Sequence, residues 1–209
     1  MSAVHRRQSN PPCRTPGPGE IGRALRRSAA SGHPAGPQAL STRLLVGGRL
    51  LILSAGLLAA AGMIGHIIGL ILLTTTVGPT GYLLLAHPDT EAAQVRCAAL
   101  GHLAATVCGL ACLAAFGLWS RPSIAQQGAD SLPQIGAQAL AVGLTLLALV
   151  ALNADHPPAA ATALMITSGI ARPGPPLYGM LIGLAIVITT AAALAKVPWL
   201  RERTRRTFH

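Results

Sequence analysis

From residue 50 onward the chain alternates long apolar stretches with short interruptions rich in Pro, Gly and charge. Hydrocarbon about 30 Å thick needs roughly 20 apolar residues per helix, because backbone polar groups must be bonded inside the segment. Four stretches reach that length, residues 50–73, 97–118, 135–153 and 177–195, and each predicts a membrane-spanning helix. Two shorter apolar pieces, GPTGYLLLA at 78–86 and PPAAATALMITSG at 157–169, are each led by Pro and are too short to cross comfortably alone.

The spacing of these pieces carries information. Pro79 lies 18 residues before the span that starts at Cys97, and Pro158 lies 19 before the span that starts at Leu177. Each short piece also follows a full span. The pattern predicts an all-α fold, a multi-pass transmembrane helical bundle with two structural repeats, each helix, Pro-led short helix, helix. If the short pieces turn back there are four crossings, and if they cross there are six. Interrupted segments at corresponding places in two halves point to a transporter's binding site.

Charge agrees with this layout. The net charge is +10, but residues 1–49 hold eight Arg against one Glu, and residues 196–209 hold one Lys and four Arg against one Glu. Between them only Arg96, Arg121 and Arg172 face Asp89, Glu91, Asp130 and Asp155. Basic tails around a nearly uncharged middle follow the positive-inside rule and place both termini in the cytoplasm. Nucleic acid is an unsuitable partner, because the basic residues are terminal and only two Trp, two Tyr and two Phe could stack on bases. With 11% of residues charged and 51% hydrophobic, the chain does not read as a soluble enzyme.

The division is therefore a basic Pro- and Gly-rich tail over residues 1–43, expected to be disordered, a transmembrane domain over 44–195, and a basic cytoplasmic tail over 196–209. Within the first tail, Ile21, Leu25, Arg23, Arg26 and Arg27 either form a short basic helix on anionic lipid or remain solvated. The Arg-rich leader is also compatible with an organelle transit peptide, although it lacks a secretory apolar region. One Lys against fifteen Arg, with abundant Ala, points to a GC-rich genome and a bacterial plasma membrane.

Small residues recur at helix-packing intervals: Gly101, Ala105 and Gly109, then Gly65 and Gly69, then Gly179 and Gly183. Apolar burial gives no drive between helices in lipid, so such seams are what allows close approach. At about 200 residues a single copy leaves room for a homo-oligomer, with these seams as candidate interfaces.

The stretch NADHPPAAATAL, residues 153–164, resembles the hallmark of the HPP family of integral membrane proteins, a His-Pro-Pro motif followed by small residues, Thr and Leu. His156, Pro157 and Pro158 match it, followed by Ala159, Ala161, Thr162, Ala163 and Leu164, with Ala160 where the family often has Gly. Pro88, Gln94, Arg96, Gly101 and His102 are similar to the family's Pro, Gln-Pro-Arg and Gly-His signatures, with Val95 and Cys97 in place of the usual Pro and Asn. GPTGYLLL resembles a third family block, departing from it at Pro79 and Thr80. The resemblance covers about residues 50–195. It implies a multi-pass protein regarded as a transporter, whose plant plastid members are linked to nitrite movement.

The residues of the motif have a chemistry of their own. Pro is tolerated in a helix's first turn, so Pro157 and Pro158 start a helix, and the N–H groups of Ala159, Ala160 and Ala161 are expected to be unpaired at its positive end. Such an end attracts a small anion. His156 can add a donor or a proton, because its unperturbed pKa of about 6.5 lies near working pH. Asp155 either caps the helix, holds His156 in one tautomer, or repels an anion. The alternative is a simple cap and turn. The Gly78 to Gly81 segment is the expected partner, offering the Thr80 hydroxyl and free N–H groups, unless it is a surface loop.

Arg96 and His102 lie six residues apart and would not share a helix face well. Arg96 is expected at the membrane boundary, as an anchor, an ion-pair partner or an anion recruiter. His102 either lines a pathway or bonds across a helix seam, and His66 is central in its expected span with no identified partner. Cys97, Cys108 and Cys112 read as small buried hydrophobes, and no metal site or cofactor is expected. No nucleophile elbow, phosphate loop or dinucleotide fingerprint is found, so an enzyme is not expected. The expected partners are membrane lipid and a small inorganic ion or solute. Of the expected site residues, His156, Pro157, Pro158, Ala159, Ala160, Asp155, Thr162, Gly78, Thr80, His102 and Arg96, the rival reading leaves only helix packing in a scaffold or assembly factor.

Overall fold

The computed structural model describes residues 37–195. The account below concerns chiefly the compact unit that begins at Thr42. The helices are α1 (Pro37–Ile68), α2 (Val77–Ala86), α3 (Val95–Ala115), α4 (Ile124–Gln127), α5 (Leu132–Ala151), α6 (Ala159–Thr167) and α7 (Pro175–Ala195), with a 3-10 turn at Glu91–Ala93. Among the described residues there is no strand.

Four of these helices are long and apolar enough to cross a membrane: Leu44–Ile68, Val95–Ala115, Leu132–Ala151 and Pro175–Leu194. The two Pro-led helices have 10 and 9 residues. At 1.5 Å per residue they extend about 15 and 14 Å, half of what a crossing needs. The order long, short, long therefore occurs on either side of α4.

Helix ends differ from the expected limits for identifiable reasons. Gly69, at φ 71°, adopts the left-handed conformation, and Leu70 N–H donates to the Gly65 carbonyl at 2.9 Å. This six-to-one closure stops α1 at Ile68, short of residue 73, although the sequence stays apolar. His66 consequently sits in the last turn rather than mid-span, and it is exposed. At the other end α1 begins at Pro37, inside the stretch expected to be tail up to residue 43. Residues 1–36, with the candidate lipid-binding segment around Ile21 and Leu25, and the tail 196–209 lie outside the described residues.

The ends of α5 show the same local control. Ser131 N–H donates to Gln134 Oε1 at 3.0 Å in a capping box, and Pro133 occupies the first turn. At its C-terminus Asn153 takes φ 47°, and Ala154 N–H donates to the Leu149 carbonyl at 3.0 Å. Asn tolerates this left-handed position, which turns the chain sharply into Ala154–Pro158.

Packing relies on small residues. α3 packs against both α5 and α6, while α2 packs against α7. Gly101 and Gly109 on α3 face α6, where a Cβ would meet Ala159 Cβ at 3.2 Å and the Ala163 backbone at 3.3 Å respectively. Gly179 and Gly183 seat the linker between α1 and α2, since a Cβ at either would collide with the Ile71 or Leu72 carbonyl. Gly65 likewise faces Leu70 and Leu72. The Gly101, Gly109, Gly179, Gly183 and Gly65 seams expected as interfaces between copies are thus occupied within one chain. Close approach is needed first inside the bundle, where the short helices have little other surface to bury.

α1 is the least covered span, with 17% of its apolar window buried against 50% for α3. Leu51, Ile52, Met63 and Ile67 are exposed along it. A helix apolar on its outer face suits hydrocarbon contact.

Candidate functional site

Four side chains from three helices and one loop converge inside the bundle. The linker before α2 carries Thr74, Thr75 and Thr76, and α2 carries Thr80 one turn later, with Pro79 accommodated in the first turn. Thr80 is fully buried, and its hydroxyl donates to the Thr76 carbonyl at 2.8 Å. On α3, His102 is buried, next to Gly101 in sequence. On α6, Thr162 is fully buried and faces His102. His156 lies just before α6 with none of its surface exposed, and Gly101 makes room for it at 3.1 Å from a notional Cβ.

Hydrogen-bond directions follow from which groups have protons to give. The Thr80 hydroxyl already donates to Thr76, so toward His102 Nε2, 3.0 Å away, it accepts. His102 therefore carries its proton on Nε2, and its Nδ1 accepts from the Thr162 hydroxyl at 2.8 Å. The result is a directional chain, Thr162 to His102 to Thr80 to Thr76, that ties both short helices to α3. Separately, the Thr75 hydroxyl donates to Met165 Sδ on α6 at 2.9 Å.

His156 takes the opposite tautomer. Its Nδ1 lies 2.7 Å from the Ala92 carbonyl, which can only accept, so the proton is on Nδ1. Nε2 is left as a bare acceptor and has no partner although it is buried. The two imidazoles meet edge to face, with centroids 5.0 Å apart and planes at 69°. An unpaired buried polar atom costs about 1–3 kcal/mol, so it is a feature to be explained rather than filler.

The remaining expected site residues are placed differently. The first-turn amides of α6 are not bare: Ala159, Ala160 and Ala161 N–H donate to the carbonyls of His156, Pro157 and Pro158 at 3.0, 3.2 and 3.2 Å. A tightened 3-10 turn satisfies them, because Pro lacks a donor but keeps its carbonyl acceptor. Asp155 is exposed, and α6 has no side-chain cap, so the capping role does not hold. Ala159 is buried and Ala160 half-buried on the face turned to the bundle, whereas Pro157 is exposed and Pro158 half-buried. Gly78 is exposed and borders an apolar cleft of about 200 Å³ between α1 and α2, lined also by Leu50, Leu57 and Tyr82. Arg96 is exposed at the first turn of α3.

Sequence reasoning missed Ala92, Thr76 and Asn153. Ala92 acts through its carbonyl, which no side-chain pattern reveals, and Asn153 through its backbone angle. Thr76 was detectable as the residue one turn before Thr80. Among the described residues no group of three or more His, Cys, Asp or Glu could hold a metal ion. Cys97 and Cys112 are buried free thiols, and Cys108 is half-buried.

Long apolar helices around a sealed polar cluster define an all-helical integral membrane protein. Residues 37–205 match the family described as HPP, transmembrane region, and the chain belongs to that family. The match covers every described helix. No curated protein and no solved structure matches the chain.

Proposed function

We propose that the chain carries a small inorganic anion, nitrite-like in size and charge, across a cell (plasma) membrane, with both termini cytoplasmic. The observation that supports this most directly is the buried, unpartnered Nε2 of His156, set against His102, which hydrogen-bonds to both short helices. Polar groups inside a membrane bundle are costly and tend to mark solute pathways. All four side chains of the cluster are buried, as expected of a carrier between its two open states. Opening would draw α2 or α6 away from α3, to which the Thr80 and Thr162 hydrogen bonds hold them.

One observation favours a second reading, a scaffold or assembly factor. The three-helix hydrogen-bond chain through His102 also serves as packing glue, and the satisfied amides of α6 remove one attraction for an anion. Liposome flux separates the two. With the full chain reconstituted, nitrite entry above that of protein-free vesicles, reduced at least tenfold by His156→Ala in a variant that still elutes as a folded species, supports carriage. Entry no faster than in protein-free vesicles refutes it.

A further inference from the structure

We infer that the anion crosses together with a proton, carried on Nε2 of His156. This inference rests on the carrier reading above and specifies what drives it. The neutral His156 ring presents only a lone pair to the cluster, because its single N–H is fixed on the Ala92 carbonyl at 2.7 Å. A lone pair repels an anion. A proton on Nε2 converts that acceptor into a charge-assisted donor and supplies the positive charge a desolvated anion needs.

No neighbouring group can take over this task. His102 has both ring nitrogens engaged, Nε2–H donating to Thr80 and Nδ1 accepting from Thr162. α5 and α6, which pack around the motif, contain no titratable residue. On α3 the groups nearest in sequence are Cys97, which is buried, and Arg96, which is exposed. Glu91 on the 3-10 turn and Asp155, next to His156 in sequence, are both exposed. An imidazolium without an anion would be a lone buried charge, and an anion without the imidazolium would be another, so each favours the arrival of its partner.

The step balances simply. One N–H bond forms at Nε2 when a proton and the anion load, and the same bond breaks when both leave on the far side. No net charge moves. The chain is therefore predicted to be an electroneutral symporter of one proton with one monovalent anion.

The test uses the full chain in liposomes containing a pH-sensitive dye, with nitrate as probe beside nitrite, because nitrate's conjugate acid is too strong to leak through lipid. An inward anion gradient should acidify the lumen by one proton per anion, and clamping the membrane potential should leave the rate unchanged. His156→Gln keeps a polar side chain of similar size without a protonatable site, and should lower anion-driven acidification at least tenfold. Anion entry without acidification, or a His156→Gln variant that keeps one-to-one coupling, would overturn the inference while leaving carriage intact. Absence of any anion entry would instead fell the carrier reading itself, and this inference with it.

Discussion

Thr162 separates a hydrogen-bonded cluster from a merely well-packed seam. Its hydroxyl donates to His102 Nδ1 at 2.8 Å from a fully buried position. Thr162→Val keeps the shape and removes the donor, leaving an unsatisfied ring nitrogen among apolar atoms. Orphaning a buried acceptor costs about 1–3 kcal/mol in water-soluble proteins. Between membrane helices measured couplings average about 0.6 and reach about 1.7 kcal/mol. We predict a cost near 1 kcal/mol for Thr162→Val, and a smaller one for Thr162→Ser, which keeps the donor and loses a methyl. In a His102→Leu background the Thr162 hydroxyl has no ring to serve, so Thr162→Val should then cost close to nothing. The assay is reversible SDS-driven unfolding in mixed micelles, with the four proteins of the Thr162/His102 cycle measured side by side. Independent sites add within about 0.3–0.5 kcal/mol. A coupling inside that range, or a Ser variant weaker than the Val variant, would refute the hydrogen-bond assignment.

Other substitutions follow from the same geometry and are measurable in the same unfolding assay. Gly101→Ala would place a Cβ 3.1 Å from His156 Cβ and 3.2 Å from both Ala159 Cβ and Leu149 Cδ2, so overpacking of about 1–3 kcal/mol should outweigh any gain in helix propensity. Gly143→Ala meets nothing within 4 Å and should be neutral or stabilising by up to about 1 kcal/mol. Asn153→Ala puts a Cβ-bearing residue without a compensating side chain at φ 47° and should cost about 1 kcal/mol, whereas Asn153→Gly should not. Asp155→Asn and Arg96→Gln alter exposed groups and should leave stability within about 0.5 kcal/mol, so any change in flux would report delivery of solute or proton.

The fold was largely legible because membrane spanning imposes a length rule that hydropathy reads directly. The four long helices and the two Pro-led half-length ones are those expected, displaced by a few residues at most ends. α1 departs most, since apolarity alone does not register the left-handed stop at Gly69. Pairing of Thr80, His102 and Thr162 was only partly legible. Each stood out as a polar residue in an apolar segment, but that one imidazole bridges both short helices depends on three-dimensional approach across Gly101. The error at α6 was physical. Missing proline donors were counted while proline carbonyls were not, and those carbonyls accept the amides expected to face an anion. Asp155, adjacent to the motif in sequence, faces outward because the turn at Asn153 rotates alternate residues of Ala154–Pro158 into and out of the bundle. Ala154 and His156 are buried, and Asp155 and Pro157 are exposed.

The central claim is that two neighbouring imidazoles hold opposite tautomers, one fully engaged and one with a bare buried nitrogen. Side-chain nitrogen-15 NMR of the histidine-labelled full chain in lipid, assigned with His102→Gln and His156→Gln, measures this directly. At neutral pH the account predicts a proton on Nε2 and a bare Nδ1 for His102, and the reverse for His156, whose Nε2 signal should move when nitrite is added. The same tautomer in both rings, or a His156 Nε2 that exchanges freely with bulk water and ignores the anion, would contradict it.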